Sequence, residues 1–219
     1  MSAGTTATAT DGAARRGGKR EKPEVRRAMI VEAARAVILR QGLTATGLRD
    51  IAAEGDVSVG TVTYHFGSVA EILDEVVVLE TDRFYASIVE EVDADPDPVH
   101  GIRLLVEPLF TGDDEAESHW RLWSDYWTAV ARQPGLTADR LERIRVWEAC
   151  LVRTIRRGVE AGTFRAVDAP EVALKLAAFS DGIATQLSQK VPGLDNARAL
   201  EWIWTFLDAE LSDGSPLFR

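Results

Sequence analysis

The stretch that most constrains this chain is Thr46 to Ser68, TGLRDIAAEGDVSVGTVTYHFGS. Its pattern predicts two short helices joined by a tight turn. Thr46 is placed to cap the first, because a hydroxyl can accept from one of the N–H groups a helix leaves open at its start. Leu48, Ile51 and Ala52 recur at helical spacing and make one apolar stripe. Gly55-Asp56 interrupts the pattern, and a positive φ is expected there. Ser58 follows the apolar Val57 and is suited to cap the second helix, which Phe66 and Gly67 close. Helix, turn and helix is the shape that lays a second helix in a DNA major groove.

The residue types on the second helix suit that task. Gly60 carries no side chain, so the backbone there can come close to a phosphate. Ser58, Thr61, Thr63, Tyr64 and His65 are compact hydrogen-bonding groups for phosphates and base edges, and the N-terminal end of a helix attracts phosphate. With Val59 on the same helix and Thr46 and Arg49 on the first, they form the candidate DNA-binding set. On residue types alone, a capped helix pair in any all-α protein fits equally well.

The run IAAEGDVSVGTVTYHFGS, followed by EIL, resembles the DNA-binding signature of TetR-family transcriptional regulators. The likeness extends back through QGLTATGLRD into a helix over Glu24 to Gln41. It implies an N-terminal three-helix DNA-binding head, a helical ligand-binding and dimerisation domain behind it, and no catalytic residues. In two places the chain departs from the family pattern, which often has tyrosine at Thr63 and lysine at Val69, both phosphate contacts. Those departures keep a second reading in view, a helical interaction adaptor that has lost DNA binding.

Charge is distributed in keeping with a DNA partner. The net charge is −10, yet residues 1–67 carry +3 and residues 68–219 carry −13. An acidic body behind a mildly basic head orients a molecule on a polyanion. Residues 1–22 are small, polar and unpatterned, so a solvated tail is expected; Arg15, Arg16, Lys19, Arg20 and Lys22 could form an arm along phosphates. The expected organisation is therefore an arm at 1–22, a helix-turn-helix domain at 23–67, and a ligand-binding and dimerisation domain at 68–219. A cytoplasmic location is expected, because no apolar run reaches the roughly 18–20 residues of a membrane span and the one cysteine, Cys150, allows no internal disulfide.

The rest of the chain reads as helices, about nine in the whole all-α protein. In the first, Val25, Met29, Ala33 and Val37 form a line with Ile30, Ala34 and Ile38 beside it. Ser68 and Glu71 make a capping box for a long helix running to about Val92. Five more follow: Pro98 to Thr111, kinked or shortened at Pro108; Asp114 to Arg132, starting on an Asp114/Glu117 pair; Thr137 to Ala161; Asp168 to about Lys190; and Asp195 to about Leu211. Val172, Leu176, Phe179, Ile183 and Leu187 line one of the last two, and Leu200, Ile203, Trp204 and Leu207 the other. These stripes are candidates either for a homodimeric four-helix interface or for packing within one subunit.

The ligand expectation rests on aromatics. Trp120, Trp123 and Trp127 share one helix face, with Tyr126 and Asp125 among them and Trp147-Glu148 further on. Core packing is the ordinary use of such residues. Indoles beside a carboxylate also suit an amine or quaternary ammonium. The candidate ligand set is Leu105, Phe110, Trp123, Asp125, Tyr126, Trp127, Trp147, Glu148 and Asp181. From about Glu115 onward the chain also resembles, more loosely, the ligand domain of the BetI-like branch of TetR regulators, which includes a choline-responsive member. The implied partners are a palindromic double-stranded operator and an apolar or cationic small molecule. No cofactor or metal is expected, since His65, His100 and His119 are scattered and Cys150 stands alone. An enzyme is not expected.

Overall fold

The computed structural model describes residues 22–132 and 142–218, and no strand occurs among them. Helix α1 (Pro23–Gln41), a 3₁₀ turn (Leu43–Ala45), α2 (Leu48–Glu54) and α3 (Val59–His65) lead into the long α4 (Val69–Ala94). Then come α5 (Pro98–Val106), a 3₁₀ turn (Glu107–Phe110) and α6 (Asp114–Arg132). After residues 142–144, also helical, follow α7 (Val146–Glu160), α8 (Ala169–Ser188) and α9 (Asn196–Leu211). The expected arm at 1–22, Lys22 excepted, and the expected cap at Thr137 lie outside the described residues.

Two apolar clusters organise these helices. The first gathers Ile30, Ala34 and Ile38 of α1, Ile51 of α2, Val62 of α3, Phe66 and the N-terminal half of α4. Leu122, Trp123 and Tyr126 of α6 belong to it as well, so the head shares its core with the body. The second joins the C-terminal half of α4 to α5, α7, α8 and α9. Because α4 supplies both clusters, it is the mechanical link between them. Among the described residues no helix is long and apolar enough to cross a membrane.

Local chemistry corrects several expectations. Val25 and Met29 are exposed, and the buried stripe begins at Ile30. Gly47, not Thr46, starts α2, and its N–H donates to Asp50 Oδ2 at 2.9 Å. The Thr46 hydroxyl is turned back to Gly42 O at 2.8 Å. At the turn, Gly55 has φ −83° and Asp56 takes the positive φ of 49°. Gly55 is needed for closeness instead: a Cβ there would lie 3.3 Å from Ala33 Cβ on α1. Asp113, not Asp114, caps α6, accepting from Ala116 N at 2.8 Å. The helix expected over Thr137 to Ala161 is interrupted at Arg145.

The apolar stripes of α8 and α9 face inward. Val172, Leu176, Ile183, Ile203 and Leu207 are buried within the protomer, because α8 packs between α7 and α9. These five are core, while Phe179, Leu187, Leu200 and Trp204 of the same stripes are half-buried. The outward sides carry Phe179 against Phe206, ring centroids 5.6 Å apart, and Trp202, which is 42% exposed. The chain after α9 folds back: Leu217 and Phe218 N–H groups both reach Asp208 Oδ1, and the Phe218 ring stacks on Trp204.

Candidate functional site

Helix α3 is short, so its position depends on what holds it. Val62 is fully buried beneath it. Ser58 accepts from Thr61 N at 3.0 Å, and the two hydroxyls lie 2.9 Å apart. At the other end the Arg27 guanidinium of α1 covers the Phe66 ring at 4.0 Å and donates to His65 O at 2.8 Å. Arg27 also lies 3.4 Å from Glu75 and 3.7 Å from Glu71 of α4. Glu71 in turn accepts from Gly67 N, and Ser68 from Glu71 N. The C-terminal end of α3 is thereby pinned to α1 and α4, while its N-terminal end is closed by its own Ser58 cap and packs with α2.

What α3 leaves outside is the candidate DNA face. Tyr64 is 81% exposed and Val59 39%. Thr63 and Gly60 are exposed too, and a Cβ added at Gly60 would meet only Ser58 Oγ, at 3.6 Å. His65 is half-buried, edge-on to Tyr64 at 5.1 Å. Arg49 on α2 is exposed beside the turn, with no ion pair among the described residues. Of the nine residues expected to meet DNA, Ser58, Val59, Gly60, Thr61, Thr63, Tyr64 and His65 share this short helix and its cap. Thr46 is buried and braces the 3₁₀ turn instead.

Between α4, α6, α7 and α8 lies a cavity of about 310 Å³. Its walls hold four indoles, Trp120, Trp123, Trp127 and Trp147, together with Tyr85, His119, Arg145, Glu148, Ser180 and Asp181. Trp147 Nε1 donates to Leu105 O and Trp120 Nε1 to Leu109 O, at 2.8 and 2.7 Å. Trp120 and Trp147 are thus oriented by backbone carbonyls. Glu148 pairs with Arg145 at 3.1 Å. Asp181 accepts from the Thr185 hydroxyl through its backbone carbonyl at 2.8 Å, but its side-chain carboxyl has no hydrogen bond or ion pair among the described residues; burial pushes that carboxyl up to about 6, with Arg145 opposing.

The back wall of this cavity is a buried polar chain. Tyr85 Oη lies 2.8 Å from His119 Nε2, His119 Nδ1 lies 3.6 Å from Glu80 Oε1, and Arg35 Nε donates to Glu80 Oε2 at 2.7 Å. Burial pulls the His119 imidazole below its usual value against the pull of Glu80. Glu80 is pushed up by burial but held below the ordinary range by its bonds to His119 and Arg35. Tyr85 is pushed well up by burial and by the negative charges of Asp181 and Glu80. A neutral His119 between a tyrosine hydroxyl and a carboxylate is the arrangement these shifts describe.

Five of the nine expected ligand residues, Trp123, Trp127, Trp147, Glu148 and Asp181, line this cavity. Asp125 lines a neighbouring one and accepts from Leu43 N at 2.9 Å, tying α6 to the head. Leu105, Phe110 and Tyr126 line neither, and all three are core: Leu105 and Phe110 in the second cluster, Tyr126 in the first. Sequence reasoning overlooked Tyr85, His119, Arg145 and Ser180 in the lining. Only the helical phase of Ser180, next to Asp181, hinted at any of them.

Comparison with known proteins agrees with this geometry. Residues 30–76 match the description of bacterial regulatory proteins of the tetR family, and residues 98–212 that of the BetI-type transcriptional repressor, C-terminal. The HTH-type transcriptional regulator BetI of Vibrio parahaemolyticus is 27% identical over 192 residues, 87% of this chain and 94% of that one. The HTH-type transcriptional repressor KstR2 of Mycobacterium tuberculosis is 29% identical over 143 residues, 64% of this chain and 70% of that one. A Saccharomonospora viridis protein crystallised in complex with choline superposes with a TM-score of 0.72 at 28% identity, covering 87% of this chain and 98% of that chain. The matches span the recognition helix and the cavity-bearing body alike, and the chain belongs to the TetR family of transcriptional regulators, with a C-terminal domain of the BetI type.

Proposed function

We propose that this regulator is a cytoplasmic homodimeric repressor that an organic cation releases from its operator. Residues 23–67 act as the DNA-binding head and 68–219 as the sensing and dimerising body, and the chain catalyses no reaction. One short helix reads few base pairs, and a twofold pair reaches half-sites roughly 34–36 Å apart. The outward sides of α8 and α9, with Phe179, Phe206 and Trp202, are the surfaces we assign to that pairing. The observation that carries the effector class is the Asp181 carboxyl, unpaired in a cavity walled by four indoles. Indole faces and a carboxylate together favour a desolvated ammonium. The choline bound by the Saccharomonospora viridis protein supports this reading.

A cation held there biases the dimer toward a head spacing that misses adjacent grooves. Operator affinity then falls by the coupling free energy, typically about 1–3 kcal/mol. Selection from a random duplex library by the full chain is expected to recover a palindrome, with binding weakened by a quaternary ammonium ion. Absence of any retained duplex at low salt would favour the adaptor reading and end this one.

A further inference from the structure

A second compartment adjoins the aromatic cavity across a shared wall. Leu109, Trp120, Trp123, Trp127 and Asp181 line both. The second holds about 650 Å³ and runs between the C-terminal end of α1, α6 and the end of α8. Its wall includes Ile38, Leu39, Ala184 and Leu187, apolar and buried or half-buried, while Glu117, Arg121 and Lys190 are exposed residues of its lining. Pockets of roughly 300–1,000 Å³ house drug-sized ligands, and each compartment falls within that range. A compact quaternary ammonium beside Asp181 would leave the larger compartment empty.

Two further groups ask for a ligand. Ser180 is 2% exposed and its Oγ has no hydrogen-bond partner; Trp127 Nε1 is likewise buried without one. Ser180 lines the first compartment and Trp127 both. Buried polar atoms of this kind are normally satisfied, and a molecule passing from one compartment to the other would run past both. The second compartment also touches α1, the helix on which α2 and the Arg27 clamp of α3 are built.

Building on the cation reading above, we propose that the effector is an elongated organic cation with an apolar arm. Its charged end sits among the indoles beside Asp181. Its arm runs past Trp127 along Ala184 and Leu187 and ends against Ile38 and Leu39. The arm, not the charge, meets the helix that carries the DNA head, so arm length sets how strongly the ligand releases DNA.

The test uses the full-length protein and n-alkyltrimethylammonium ions from methyl to decyl, below their micellar concentrations, beside n-alkanols of the same lengths. Binding is followed by calorimetry, and operator release by gel shift. Affinity for the ions is expected to rise about three- to fourfold per methylene over several members, with the long ions releasing operator and tetramethylammonium failing to do so. Each ion should bind at least tenfold tighter than its alkanol, a preference that Asp181→Asn removes. A preference for ions with no gain from chain length would overturn the elongated ligand and leave the cation site standing. No preference for ions over alkanols in the unaltered protein would overturn the cation site, and the proposal with it.

Discussion

At the scale of single residues, exposure separates function from folding. Tyr64 is 81% exposed and its ring lies edge-on to His65. Tyr64→Ala should therefore change stability by less than about 0.5 kcal/mol while weakening operator binding at least tenfold; thermal melting and gel shifts measure the two effects separately. Asp181 is the opposite case, a half-buried residue whose carboxyl is raised to about 6 by desolvation. Above that pH it is charged, as the proposed cation site requires. As pH falls through about 6 it takes up a proton, and cation affinity should fall with it. The stability of the free protein moves the other way: a carboxyl raised above its unfolded value destabilises the fold above its folded pKa, and acidification relieves this. Around it stand Arg145, paired with Glu148, and Tyr85 and His119. Calorimetric titrations at pH 7.5 and 5 should show the loss with a tetraalkylammonium ion, and Asp181→Asn should flatten it.

Among the elements, α4 carries the connection. Its Glu80, 2% exposed, meets Arg35 of the head on one side and His119 of the cavity wall on the other. Removing Arg35 leaves a buried carboxylate without its cation, and breaking such a pair from one side costs several kcal/mol. Arg35→Met is thus expected to destabilise by about 3 kcal/mol, read as a lowered urea midpoint. Glu80→Gln keeps the volume and removes the charge, and Arg35, with 22% of its side chain exposed, can turn to water. That variant should cost less than half as much.

For the whole molecule, charge is arranged in opposition: residues 68–219 carry −13, the head at 23–67 is neutral, and residues 1–22 carry +3. Near the recognition helix Arg27 and Arg40 are engaged in ion pairs with glutamates, while Arg49 is exposed. On the proposed reading, hydroxyls and backbone N–H groups therefore share the phosphate contacts with Arg49. Each phosphate contact by a cation adds about 0.9 to the slope of log affinity against log salt. Arg49→Ala should reduce that slope by about 2 for a dimer and weaken binding similarly across operator variants. Titrations at several salt concentrations measure it.

The amino-acid sequence by itself determined most of the helices and some of their ends. Ser58 and Ser68 cap the helices they were expected to cap, because capping depends on neighbours along the chain. It also determined the recognition helix, whose hydroxyls, glycine and tyrosine lie within one local stretch. Which apolar face of α8 and α9 turns inward was decided by tertiary structure, since periodicity marks a stripe and not its partner. The cavity came from there too. Tyr85, His119, Trp147 and Asp181 lie on four different helices and meet only when those helices pack. Helical phase cannot distinguish a tryptophan that fills a core from one that lines a space, because both are buried by the same hydrophobic force.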